Sequence, residues 1–276
     1  MTRKKDASEQ VVSTPLQDRA LALALDVAEE ASKLVMTGFR QTVAIHKKAA
    51  ISLVTEFDLR SEELIRTRLA QVFPGHTYVG EEKPASGTSE FAWYIDPIDG
   101  TTNFAHGHPC FCISLALYHG QVGLVGVVVA PALGVRWWAT RAGGCYRDGA
   151  RCAVTSTTEL DDALCATGFA YDRRETDDDN IAEYRAFMKR TRGVRRCGAA
   201  ALDLAMLADG TYDIFWEKKL CAWDFAAGLL LVSEAGGKLS TYDGSAMTLN
   251  AETLLASNGK LHSDAVSVLN SVGHHP

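Results

Sequence analysis

Trp93-Tyr94-Ile95-Asp96-Pro97-Ile98-Asp99-Gly100-Thr101-Thr102-Asn103-Phe104 is the stretch from which the rest of the chain is read. The apolar run at 91–95 has the length and composition of a buried strand, and it meets an acid followed by proline, which cannot continue a ladder. The strand is therefore expected to stop at Asp96. Pro97 fixes one backbone angle and Asp99-Gly100 is a strong turn signal, so the chain folds back and aims Asp96 and Asp99 at one point. Two converging carboxylates repel unless a cation sits between them. Hard ions such as magnesium take carboxylate oxygens together with carbonyls, and the turn keeps the carbonyl of Ile98 out of any ladder. Past the turn, Gly100, Thr101 and Thr102 offer N–H groups and hydroxyls to an anion if a helix begins there.

Working outward, 276 residues suffice for one large α/β domain or two small ones. With 47% hydrophobic and 22% charged residues the composition is that of an ordinary globular protein. A net charge of −6 argues against nucleic-acid binding as the main activity, although Arg190, Arg192, Arg195 and Arg196 form a local basic run. Seven cysteines without a C-x-x-C pair predict reduced thiols and a cytoplasmic location. The N-terminal ten residues lack the apolar core of a secretory signal, and the longest uncharged stretch, 120–135, is too short and too broken to span a membrane. The eight histidines show no metal-ligand spacing.

Residues 1–13 are polar and are expected to fray. Thr14-Pro15 reads as a cap and first helical position. Leu21, Ala24, Ala28, Ala31 and Val35 then predict a helix with a small-residue stripe, ending near Gly38. Residues 43–53 read as a loop or hairpin carrying Lys47 and Lys48 near its tip. Thr55 to Asp58 precede an amphipathic helix with Ile65, Leu69, Val72 and Phe73 on one face, and Asp58 alone reads as a capping acid in its first turn. A short strand at 76–79 runs into Gly80-Glu81-Glu82. The β-branched and aromatic runs 110–118, 122–130 and 135–140 predict an antiparallel meander, with a further hairpin around Asp148-Gly149 and with Cys110 and Cys112 on one strand face.

Polarity rises after Thr155, dividing residues 14–276 into an α+β half (about 14–155) and an α/β half (about 156–276) of one domain. The acid-rich connection 171–180 is the strongest boundary signal between them. Helix and strand then alternate through 180–216, the sign of a layered α/β unit. The next residues, Trp216-Glu217-Lys218-Lys219-Leu220, read as a charged loop. Residues 223–235 are apolar almost all round and end at Gly236-Gly237, which predicts a buried helix with Asp224 in its first turn, where scarce water makes the acid need a partner. Two short strands and a helix at 263–272 close the chain.

The run from Asp96 to Thr101 resembles the signature of the inositol monophosphatase family. Gly80-Glu81-Glu82 and Trp223-Asp224 match that family's other marks, so the resemblance spans roughly 43–237. It implies a layered αβαβα sandwich, an α/β (α+β) fold of the type shared with fructose-1,6-bisphosphatase, and a homodimer. The implied activity is magnesium-dependent, lithium-sensitive hydrolysis of a small phosphate monoester, inositol 1-phosphate first among them. Four gathered carboxylates repel one another, and two or three divalent ions relieve this while creating a phosphate site.

On the resemblance, Glu81, Asp96 and the carbonyl of Ile98 hold one ion and Asp96, Asp99 and Asp224 a second, with Asp58 helping a weak third. Thr101, with Glu81, orients the attacking water. The N–H groups of Gly100 and Thr101 hold phosphate, and Gly198, Ala200 and Glu217 contact the alcohol. Lys47 approaches from the hairpin, or Lys48 if the register shifts by one, and Ser52 stands where the family often has an acid. Relatives that cleave histidinol phosphate, fructose 1,6-bisphosphate or adenosine 3′,5′-bisphosphate share the metal core, so the core alone does not name the alcohol. A regulatory role in transcription complexes, through the arginine run, is the alternative of another class.

Overall fold

Residues 14–41, 45–47 and 53–272 are described by the computed structural model. The sequence readings for residues 1–13, Lys48, Ser52 and the side chain of Lys47 fall outside the described residues. Helix α1 (Thr14–Met36) is followed by the antiparallel hairpin β1 (Ile45–Lys47) and β2 (Leu53–Thr55), then by helix α2 (Glu56–Val72). Next come β3 (Thr77–Gly80), β4 (Phe91–Asp99), the short helix α3 (Thr101–Ala105), β5 (Cys112–His119), β6 (Val122–Ala130), β7 (Val135–Thr140), β8 (Gly144–Arg147) and β9 (Ala150–Arg151). These seven strands form one sheet in chain order, antiparallel except that β3 and β4 run parallel.

The second sheet begins with β10 (Leu164–Thr167), followed by α4 (Ile181–Met188), β11 (Gly193–Arg195), α5 (Ala200–Ala208), β12 (Ile214–Lys218), α6 (Ala222–Glu234), β13 (Lys238–Ser240), β14 (Thr253–Ser257) and α7 (His262–Ser271). Its order is β11-β10-β12-β14-β13, parallel over the first three strands and antiparallel over the rest. The chain thus crosses between sheets after Arg151 and before Leu164, and the acid-rich connection 171–180 lies inside the second half.

Strand alternation sets the layers. In β5, Ile113, Leu115 and Leu117 join the core shared with α1 and α2, while Cys112, Ala116 and Tyr118 face the core built on α5 and α6. Period-two placement of this kind is what a sheet covered on both faces requires. Gly126 of β6 marks the closest approach, since a Cβ there would sit 2.9 Å from the Ala227 carbonyl oxygen of α6. Beyond the second sheet, Phe187 of α4 and Ala265, Val268 and Leu269 of α7 pack against Ile214, Trp216 and Leu255. The order is therefore α1 and α2, seven-stranded sheet, α5 and α6, five-stranded sheet, α4 and α7: five layers of an α/β sandwich. Emptying the fully buried Leu115 to alanine would cost about 2–5 kcal/mol.

Candidate active site

Asp96 does not end its strand. β4 runs on through Pro97 to Asp99, and its pairing with β5 skips from Asp96 opposite Ser114 to Asp99 opposite Cys112. A bulge accommodates the proline, because residues 97 and 98 need no place in the ladder. The Ile98 N–H turns inward and donates to Asp96 Oδ1 at 3.0 Å. The Ile98 carbonyl, likewise off the ladder, lies 3.0 Å from Thr101 Oγ1. Gly100 takes φ +89°, a left-handed turn that glycine adopts without strain, and a Cβ there would lie 3.0 Å from the Cys110 carbonyl oxygen. The turn is then tied at both ends: Asn103 Nδ2 donates to the carbonyls of Cys110 (2.5 Å) and Cys197 (2.7 Å). Cys110 precedes β5 and so does not share the strand face of Cys112.

Asp58 is the N3 residue of α2, fully buried, and closes a capping box with Thr55: Oδ2 accepts from the Thr55 N–H (2.8 Å) and hydroxyl (2.6 Å). Its other oxygen faces Thr101 Oγ1 at 2.9 Å, so the capping acid also belongs to the turn's surroundings. Glu81 is set by a buried frame. Glu62 accepts from the Glu82 N–H (2.7 Å), the Lys83 N–H (3.1 Å) and Arg66 Nε (2.7 Å), and Arg66 donates on to the Lys83 carbonyl (2.9 Å). Gly80 lets this frame close, because a Cβ there would stand 2.4 Å from Glu62 Oε1.

Asp99 and Asp224 each sit on a helix start. Asp99 accepts from the N–H groups of Ala200 (3.2 Å) and Ala201 (2.7 Å) at the head of α5 and faces Cys112 Sγ at 3.5 Å. Burial pushes its carboxyl up to about 6, offset in part by the Ala201 N–H, the Cys112 thiol and the Leu202 N–H. Asp224 is the N3 residue of α6 and accepts from the Cys221 N–H at 2.7 Å. Asp96, 1% exposed, lies among all of them. Burial raises its carboxyl well above the usual range, and the charges of Glu81, Asp99, Asp224 and Asp58 raise it further.

Glu81, Asp99, Gly100, Gly198, Ala200, Glu217 and Asp224 line one cavity of about 380 Å³, with Asp96, Ile98, Thr101 and Asp58 buried beside it. No three of the described His, Cys, Asp and Glu side chains yet converge at the spacing of a gripped ion. The acids ring the cavity, each held by its own helix start or turn. Their chemistry fits a hard divalent cation: all donors are oxygen, and the central acid is destabilised by its neighbours.

Glu217 is not in a loop. It lies in β12, paired with Leu254 of β14, and is 8% exposed. Its carboxylate rests over Gly168, where a Cβ would meet Oε1 at 2.2 Å. Burial raises its pKa, as do Asp203, Asp224 and Asp99, against Arg196. Ala200, expected at the alcohol, lines the cavity and donates its N–H to Asp99. Among the lining residues to which the sequence reading gives no role at this site are Tyr171, Arg173, Arg196 and Asp203. For Asp203 a signal existed, as the one charged residue in the apolar helix Ala200–Ala208. The arginine run is split: Arg190 bonds the Ala186 carbonyl, Arg192 pairs with Asp162, and Arg196 turns to the cavity.

The sequence profile of the inositol monophosphatase family matches residues 16–274. The chain is 40% identical over 225 residues to an inositol-1-monophosphatase of Synechocystis sp., covering 81% of this chain and 78% of that protein. It is 38% identical over 251 residues to the Nus factor SuhB of Pseudomonas aeruginosa, covering 87% and 92%. The fold matches the solved inositol monophosphatase of Anabaena (Nostoc) sp. with a TM-score of 0.85 at 37% identity, over 94% of this chain and 97% of that one.

Proposed function

The chain belongs to the inositol monophosphatase family and is a phosphoric monoester hydrolase, and we propose that it uses magnesium and water to cleave inositol 1-phosphate at the cavity beside Asp96. The observation that carries this reading is the ring of Glu81, Asp58, Asp99 and Asp224 around a buried carboxyl they destabilise. A multivalent cation relieves that repulsion, and an all-oxygen donor set suits magnesium. Glu81, Asp96 and the Ile98 carbonyl would hold one ion, Asp96, Asp99 and Asp224 a second, and Asp58 a weaker third. Magnesium bound there supplies Lewis acidity for water and for both oxygens of an in-line displacement.

The remaining tasks fall to the chain's own atoms. Thr101 Oγ1 directs its single proton at Asp58 Oδ1 or the Ile98 carbonyl, which leaves a lone pair to accept from the attacking water. The Glu81 carboxylate takes the proton that water loses. The N–H groups of Gly100 and Thr101, at the head of α3, hold phosphate oxygens. Glu217, fixed over Gly168, accepts from hydroxyls of the alcohol. Lys47 is proposed to approach from the β1–β2 hairpin. Residues 14–276 act as one domain on this reading, because both sheets pack on α5 and α6.

A panel of inositol, fructose, histidinol and nucleotide phosphates, assayed with and without magnesium, tests the proposal. Inositol 1-phosphate is expected to rank first and to need the ion; turnover in chelator, or a different first rank, sinks it. Lithium at millimolar levels is expected to inhibit. A homodimer belongs to the same proposal, and light scattering that reports one copy removes it. All seven cysteines are free, which supports a reducing compartment and a cytoplasmic location. Among the described residues no helix is long and apolar enough to cross a membrane.

A further inference from the structure

We propose that Asp203 is a second polyol-binding acid, a residue that sets specificity for the leaving group by accepting a hydroxyl hydrogen bond in the cavity it shares with Glu217. This rests on reading the cavity as a phosphatase site. Asp203 lies one turn into α5, just past the Ala200 and Ala201 N–H groups that hold Asp99. It lines the cavity although its residue is only 1% exposed. Oδ1 is buried and has no hydrogen-bond partner. Buried carboxylate oxygens are costly to leave unsatisfied, and native structures keep few of them away from functional sites.

The surroundings say what kind of group is missing. Glu217 of β12 lines the same cavity, close enough to Asp203 that the Asp203 charge raises its carboxyl. Arg196 is the cation facing both acids, yet it makes no ion pair within 4 Å among the described residues. Two acceptors, one from α5 and one from β12, therefore line the same cavity, and Asp203 Oδ1 is left without a donor from the chain. A leaving group with neighbouring hydroxyls satisfies both at once, because each ionised carboxylate only accepts.

The test compares wild type with Asp203→Asn, which keeps side-chain volume, on inositol 1-phosphate and p-nitrophenyl phosphate in magnesium, with kcat and KM resolved. The ratio of kcat/KM for inositol 1-phosphate to that for the aryl phosphate is expected to fall at least tenfold, chiefly through KM. Equal losses on the inositol and aryl substrates would assign Asp203 to supporting Asp99 and overturn the proposal, as would an unchanged ratio. Should Asp203→Asn fail to fold, Asp203→Ser is judged by the same ratio. A wild-type protein that cleaves the aryl phosphate but no inositol phosphate overturns the functional reading and this proposal together. An active wild type with an unmoved ratio overturns this proposal alone.

Discussion

The two walls of the cavity are built differently. The wall proposed to hold phosphate is local: Asp96, Ile98, Asp99, Gly100 and Thr101 fall within six consecutive positions, and the bulge and left-handed glycine that shape them are written in the same run. The wall proposed to hold the leaving group is assembled from a distance. Gly198 and Asp203 come from the start of α5, Glu217 from β12 and Gly168 from the end of β10, and they meet only because the five-stranded sheet stacks on α5 and α6. The difference teaches that one part of a site can be fixed by short-range backbone geometry while the part that chooses among substrates depends on strand order.

If the comparison is right, damage to the local wall abolishes chemistry and damage to the distant wall changes preference. The largest effect is expected for Asp96→Asn, with kcat/KM falling at least ~10³-fold, about 4 kcal/mol in the barrier. Asn can still accept from the Ile98 N–H, and the change removes a carboxyl that its neighbours destabilise, so the metal-free melting temperature at neutral pH should hold or rise. An active, magnesium-dependent variant would remove Asp96 from the centre. Gly100→Ala comes next: it forces φ +89° on an L-residue and crowds the Cys110 carbonyl, so a loss of roughly 10²-fold in turnover is expected, with little change in ranking among alcohols. A changed ranking would erase the distinction between walls.

Glu217→Gln should act the other way, weakening inositol 1-phosphate about tenfold more than p-nitrophenyl phosphate, the scale of one or two lost hydrogen bonds. Equal losses would take Glu217 out of the leaving-group wall. The smallest effect on activity is expected far from both walls, at His262. Its ring lies buried between Ser257 Oγ (2.8 Å) and Ser240 Oγ (2.9 Å), and burial lowers its pKa to about 4. An unfolded histidine binds its proton near pH 6.5, so the stabilisation is present above that and drains away as pH falls toward 4, by at most about 3 kcal/mol. His262→Asn should flatten this slope in chemical denaturation and leave turnover at neutral pH unchanged. A slope that survives assigns the acid sensitivity elsewhere.

The same contrast governs what was legible in the sequence. The meander and the buried helix α6 follow from period and from turn residues, the αβαβα sandwich from the family resemblance, and the acid pair around Pro97 advertises its own turn. Even so, the strand was read as stopping at Asp96, because proline breaks ladders and nothing in the local run distinguishes an end from a bulge. The ambiguity at Glu217, a charged loop from its neighbours and an alcohol contact from the resemblance, has a different cause. Trp216-Glu217-Lys218-Lys219 looks solvated by charge, yet β12 is a central strand, and Lys218 is neutralised by Asp178 and Glu183 and packs over Tyr242. Those two acids come from or just beyond the connection 171–180, whose charge suggested a boundary when its actual work is to pair with Lys218 and Lys219. Asp203 went unweighed since an acid in an apolar helix says nothing about which neighbour lacks a donor.

Asn103 carries a consequence for motion. One side-chain amide spends its two protons on carbonyls 87 positions apart in the chain, Cys110 and Cys197, and so laces the segment leading into β5 to the segment leading into α5. The mouth of the cavity therefore cannot gape on one side only: slack introduced near residue 197 travels through that knot to the glycine hinge at 100. Replacing Asn103 by alanine should make amide exchange around both segments speed up in step, as though a single stitch had been cut.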